Sequence, residues 1–76
     1  MAKELVEYIA QNLVNDPSQV QLKEKRTNSS VILELRVAKA DMGRVIGKQG
    51  RVANAIRSLL RVVSTKDDIR IILEID

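Results

Sequence analysis

The stretch Gly43-Arg44-Val45-Ile46-Gly47-Lys48-Gln49-Gly50 contains every glycine of the 76-residue chain. Glycine is favoured where the backbone needs a positive φ or must approach a ligand closely, because it has no Cβ. The same stretch is basic, and sequence that favours helices flanks it. This concentration of glycine predicts that the backbone itself is the functional surface, in a turn between two helices.

Spacing separates this stretch from other glycine-rich loops. A Walker A loop has four residues between its glycines, then Lys and Ser/Thr; here three residues separate Gly43 from Gly47, and Gln49 follows Lys48. A dinucleotide fingerprint needs Gly-x-Gly after a strand, and a membrane dimer motif needs an apolar helix. A Gly-x-x-Gly clamp on a nucleic-acid backbone fits residues 47–50. The structural alternative is a plain helix-turn-helix connection with a glycine cap.

Hydrophobic periodicity predicts three helices and three strands around the glycines. A short helix capped by Asp41 runs through Ile46, and a second helix covers 51–63. The other predicted elements are a helix over 3–14 that the segment Asn15-Asp16-Pro17 terminates, an edge strand over 19–26, a strand over 31–37, and a strand over 69–75 after a polar connector at 65–68. The order α-β-β-α-α-β predicts an α+β sandwich, with one three-stranded sheet covered on one face by helices.

Charge is distributed unevenly along the chain. Residues 42–66 carry six Lys or Arg and no acid, whereas residues 67–76 carry four acids and one arginine. A basic segment centred on the glycines is the electrostatic footprint that a polyanion partner requires. A solvated basic helix face is the alternative interpretation.

Composition excludes several functional classes. The chain has no Cys and no His, which rules out disulfides, a zinc cluster and Cys- or His-based catalysis. Tyr8 is the single aromatic residue, so base stacking on aromatic side chains cannot carry binding. No nucleophile–base set and no cofactor motif is present, which argues against an enzyme. Without a membrane-length apolar run or a signal peptide, we expect a soluble, cytoplasmic protein with no small-molecule substrate.

The helix predicted over 51–63 has more apolar surface than one sheet needs. Its apolar positions span about 180° of the helical wheel, where something over ~100° suffices. The surplus lies around Ala55 and Val62 on one edge or Ala53 and Leu60 on the other. Either a second chain buries it or the small domain wraps the helix deeply; on the first interpretation Ala55, Leu59 and Val62 form a dimer interface. Arg57 and Arg61 occupy the polar arc.

Val45-Ile46-Gly47-Lys48-Gln49-Gly50 resembles the signature of K-homology (KH) domains, and the element order resembles their type II arrangement. Residues 1–76 resemble one such domain and are most similar to the small bacterial single-KH proteins of the KhpA (YlqC) family. The resemblance implies that residues 47–50 grip an RNA backbone. It also implies an apolar groove, between the two helices and the strand at 31–37, that holds about four single-stranded nucleotides.

The family resemblance further implies partners and a cellular role. The chain would pair as a homodimer or with a larger KH-containing protein (KhpB, also called Jag or EloR). It would act as an RNA chaperone linked to cell-wall synthesis and cell shape. The residues predicted to bind RNA are Arg44, Ile46, Gly47, Lys48, Gln49, Gly50, Arg51 and Asn54. A protein–protein adaptor with incidental nucleic-acid contact is the alternative, and the sequence does not separate RNA from single-stranded DNA.

Overall fold

The three strands form one mixed sheet in the order β1-β2-β3. The structure, a computed structural model, describes residues 2–75. Strand β1 (Gln21–Arg26) pairs antiparallel with β2 (Ser30–Arg36), and β2 pairs parallel with β3 (Arg70–Ile75). A tight turn joins the antiparallel pair, whereas a parallel pair requires a long crossover. That crossover contains the glycine stretch and the helices on either side of it.

Three helices cover one face of the sheet: α1 (Ala2–Leu13), α2 (Met42–Ile46) and α3 (Arg51–Asp67). Alternate residues of the central strand point toward them, so Val31, Leu33 and Leu35 are at most 3% exposed. The helices and β3 complete this core with Val6, Ala10, Val45, Ile56, Leu60 and Leu73. The predicted α+β class and the helices on a single face are confirmed.

The predicted element bounds hold for most elements and fail at two places. The first helix and the strand predicted over 31–37 lie within one residue of their predicted ends. Strand β1 starts later than predicted because Pro17–Gln19 form a 3₁₀ turn. Helix α3 continues to Asp67, so most of the polar connector predicted at 65–68 is helical. It ends at Asp68, which has a left-handed φ of 53° and donates its backbone N–H to the Ser64 carbonyl.

The predicted cap of α2 is also wrong. No side chain among residues 2–75 caps the N-terminus of α2, although Asp41 stands at the cap position. The Asp41 carboxylate instead accepts hydrogen bonds from the backbone N–H groups of Asn15 at 3.1 Å and Asp16 at 3.2 Å. These two residues follow α1 after Val14, and their N–H groups bind the carboxylate oxygens that would otherwise cap α2.

Candidate nucleic-acid interface

Residues Gly47–Gly50 form a tight turn between α2 and α3. The Gly47 N–H donates to the Gly43 carbonyl at 2.8 Å, and the Gly50 N–H donates to the Gly47 carbonyl at 3.1 Å. Three of the four positions have positive φ: Gly47 at 77°, Gln49 at 57° and Gly50 at 76°. A run of such conformations reverses the chain within a few residues, and glycine adopts them without steric cost.

The three glycines have different surroundings. A Cβ added at Gly47 would lie 2.6 Å from Cγ2 of Val52 and 2.8 Å from its backbone nitrogen. The turn is therefore packed directly against the start of α3. At Gly50 the nearest atom to an added Cβ is Nδ2 of Asn54, at 3.6 Å. At Gly43, which lies inside α2, an added Cβ would meet nothing within 4 Å.

The start of α3 carries basic side chains that form no ion pair within the described residues. Its first turn contains no acid, and Gly50 at the N-cap offers no side-chain oxygen. A helix N-terminus is itself positive and normally attracts acids, yet Arg51 is the first residue here. No carboxylate within residues 2–75 forms an ion pair with Lys48 or Arg51, and both are exposed. This arrangement suits an anion supplied by another molecule.

The remaining residues predicted to bind RNA lie on either side of the turn. Arg44 lies on α2, with its Nε 3.6 Å from Oδ1 of Asp41 and about half of its side chain exposed. Ile46 is the last residue of α2 and is 37% exposed. Asn54 is exposed near the start of α3. The structure thus brings the whole predicted set together on the α2–turn–α3 unit.

The groove predicted between the two helices and the strand at 31–37 stays a prediction. Along most of that strand, β2, the side chains that face the helices are buried, and a depression at its end is lined by Arg36, Val37, Lys39 and Met42. A second groove lies between α3 and the edge strand β3, and starts about two helical turns beyond Gly50. Its lining includes Arg57, Arg61, Ser64, Arg70, Ile71 and Leu73.

Arg57 crosses this groove. Its Nη2 donates to the backbone carbonyl of Leu73 at 3.3 Å, on the edge strand. Sequence reasoning placed Arg57 and Arg61 in the polar arc of the helix and assigned them no role. The sequence does contain one signal for both residues, because Arg57 and Arg61 belong to the acid-free basic segment 42–66. What the sequence lacked was the strand order, which places β3 and its Arg70 beside α3.

An apolar stripe runs along the solvent side of α3. Of the two edges considered for the surplus apolar surface, Ala53 and Leu60 belong to the buried core. Ala55, Leu59 and Val62 are exposed, Leu59 by 50% and Val62 by 68%.

Among residues 2–75, no helix is both long enough and apolar enough to cross a membrane.

Comparison with known proteins identifies the family. The sequence profile described as KhpA/KhpB, KH domain, matches residues 3–75. This chain belongs to that family. The protein named RNA-binding protein KhpA from Clostridium acetobutylicum is 49% identical over 96% of this chain and 97% of its own length. Its namesake from Chlamydia trachomatis is 48% identical, over 96% of this chain and 94% of its own length.

A solved structure is similar in fold to this KH domain. Aquifex aeolicus Era, crystallised as a point variant bound to GDP and aluminium fluoride, superposes with a TM-score of 0.66 at 19% identity. The similarity covers 97% of this chain but 29% of the Era chain. At this identity the comparison shows a common fold and nothing about ligands. The predicted membership of the KhpA family and the KH fold are confirmed by the family match.

Proposed function

We propose that this KH domain binds single-stranded RNA by gripping its backbone at residues 47–50. The observation that carries the proposal is the tight turn packed onto an uncapped, acid-free helix start, beside two unpaired cations. Lys48 and Arg51, with Arg44 one turn earlier, contact phosphates. The relatives named RNA-binding protein KhpA, which match nearly the whole chain, support RNA as the ligand.

The groove between α3 and β3 receives the bases. It starts about two helical turns along α3 from Gly50, so a strand held by its phosphates at residues 47–50 runs along α3 to reach it. Its floor is aliphatic and its rim is basic, with Arg57, Arg61 and Arg70 free of ion pairs among the described residues. Because the groove is lined by no aromatic side chain, a single domain binds weakly and with little sequence preference.

The test is the double substitution Lys48→Asp and Gln49→Asp. Both side chains are exposed, so the fold should persist, and repulsion of phosphate should weaken binding to single-stranded RNA at least tenfold in fluorescence anisotropy. For about three contacted phosphates, log K for the wild type should change with log salt with a slope of about −2. DNA of the same sequence, measured in parallel, shows whether the 2′-hydroxyl contributes.

A matched control exists on the face of the sheet that points away from the helices. Gln21 and Lys23 are exposed on β1, and replacing both by Asp changes the same residue types and the same charge. This control should retain binding close to that of the wild type. Equal weakening in the two double variants would show only a loss of total charge, and it would refute the assignment of the turn.

The exposed stripe Ala55, Leu59 and Val62 favours a second function, pairing with another copy of the chain. Burying it adds apolar contact to a small core and links two weak RNA sites, which raises their joint affinity. In sedimentation at micromolar concentration, the wild type should be a dimer and Leu59→Glu a monomer. Gln21→Glu, exposed on β1 and away from α3, is the control and should remain dimeric; a monomeric wild type would refute the pairing.

From the family resemblance we further propose that the chain pairs with a larger KH-containing protein such as KhpB. On the same ground we propose that it acts as an RNA chaperone linked to cell-wall synthesis and cell shape.

A further inference from the structure

Asp41 is the one charged residue that is buried among residues 2–75, at 2% exposure. Burying a carboxylate is costly unless charges or hydrogen bonds compensate it. Here Oδ1 accepts the N–H of Asn15, Oδ2 accepts the N–H of Asp16, and Arg44 lies 3.6 Å from Oδ1. Both oxygens are therefore engaged with groups on two different elements: the segment after α1 and the helix α2.

Helix α2 needs such contacts because it cannot hold its own position. It has five residues, far fewer than an isolated helix requires for stability, and it contains a glycine. Val45 is its one buried residue and fixes it against the core, while Met42 packs partly on that core. Because α2 has little buried apolar surface, polar contacts at its start contribute to fixing its direction.

We propose that Asp41 is a positioning residue for the nucleic-acid interface. By holding the start of α2 against residues 15 and 16, it fixes the direction in which α2 enters the turn at Gly47. The phosphate-binding groups of the turn and of α3 then have one relative arrangement before RNA arrives. This inference rests on the proposed RNA-binding function for its binding readout, but its structural part can be tested without RNA.

The first test is amide hydrogen exchange of the free protein with Asp41→Asn. The amide keeps the size of the carboxylate but turns one acceptor into a donor that faces a backbone N–H. Opening of residues 42–47 should become at least about tenfold more frequent, equivalent to about 1.4 kcal/mol, because hydrogen bonds to a charged group are stronger than those to a neutral one. Exchange in β2 should change only as far as global stability changes. Unchanged exchange at 42–47 would overturn the proposal whether or not RNA binds.

The second test is RNA affinity at a temperature where every variant is fully folded. Asp41→Asn should bind single-stranded RNA more weakly, by the factor by which the population of correctly placed α2 falls in the exchange experiment on the same variant. Val31→Ala, in the core and away from α2, is the control for lost stability and should keep wild-type affinity. Equal weakening by Val31→Ala would reduce Asp41 to a structural role and overturn the proposal.

A third variant separates the hydrogen bonds that Asp41 accepts from residues 15 and 16 from its ion pair with Arg44. In an Arg44→Gln background, Asp41→Asn should still weaken RNA binding, since the hydrogen bonds to residues 15 and 16 are lost in either background. If Asp41→Asn no longer weakens RNA binding in the Arg44→Gln background, Asp41 acts only through Arg44. That result would overturn the proposal that its hydrogen bonds to residues 15 and 16 position α2. A wild-type chain that binds no RNA would refute the proposed function, while the exchange experiment still decides whether Asp41 holds α2.

Discussion

The two ends of helix α2 use glycine for different reasons. Gly47, at the C-terminal end, has φ 77° and ψ 170°, a region of the backbone map that is essentially restricted to glycine. Gly43, in the first turn, is helical and has open space where a side chain would begin. The chain's own fold requires glycine at position 47 and gives no reason for glycine at position 43.

Adding a side chain has opposite effects on the free energy of unfolding at the two positions. At Gly47 a side chain is excluded by both conformation and contact with Val52. At Gly43 the fold loses stability by keeping glycine, since alanine in a helix is more stable by roughly 0.5–1 kcal/mol. A glycine that costs stability and meets no steric limit leaves room above the helix surface. On the proposed function, that room admits the RNA next to the turn.

The largest expected effect is that of Gly47→Ala. The added Cβ needs a disallowed backbone conformation and lies 2.6 Å from Cγ2 of Val52. We expect a loss of about 3 kcal/mol or more in the free energy of unfolding, a large part of the total for a domain of this size. Urea denaturation followed by circular dichroism measures it.

The matched control for this variant is Gly50→Ala. Its φ of 76° and ψ of 15° lie in the left-handed region, and an added Cβ has room, with Asn54 at 3.6 Å. The cost should be about 1–2 kcal/mol, the usual penalty for one alanine in that conformation. Equal losses at the two positions would mean that packing against Val52 contributes nothing, and the contrast between required and optional glycines would lose its steric part.

Much of the fold could be predicted because its signals are local. Alternation in the strand around Leu33 and Leu35, and the proline after the first helix, depend only on neighbouring residues. The end of α3 was missed because the usual stop signal, a glycine in the left-handed conformation, is absent. Asp68 adopts that conformation instead. The prediction therefore stopped where the apolar pattern stopped, four residues early.

The site divides in the same way between local and distant signals. The glycine spacing and the basic segment are contiguous in sequence, so the turn and its cations could be predicted. The α3–β3 groove depends on strand order, and the role of Asp41 depends on residues 15 and 16 lying beside it. Neither feature is indicated by residues that are close in sequence. Asp41 before a helix has the pattern of an N-cap, and only tertiary contact shows that its oxygens are already engaged.

The smallest effect, and the sharpest test of the comparison, is Gly43→Ala. The fold should gain roughly 0.5–1 kcal/mol in urea denaturation, because the residue is exposed and helical and its Cβ is unobstructed. RNA affinity should nevertheless fall a few-fold, since the methyl group fills the space above α2. Opposite signs in stability and binding cannot come from partial unfolding. A more stable variant with unchanged affinity would show that nothing approaches Gly43, and the RNA path would then be limited to the turn and the α3–β3 groove.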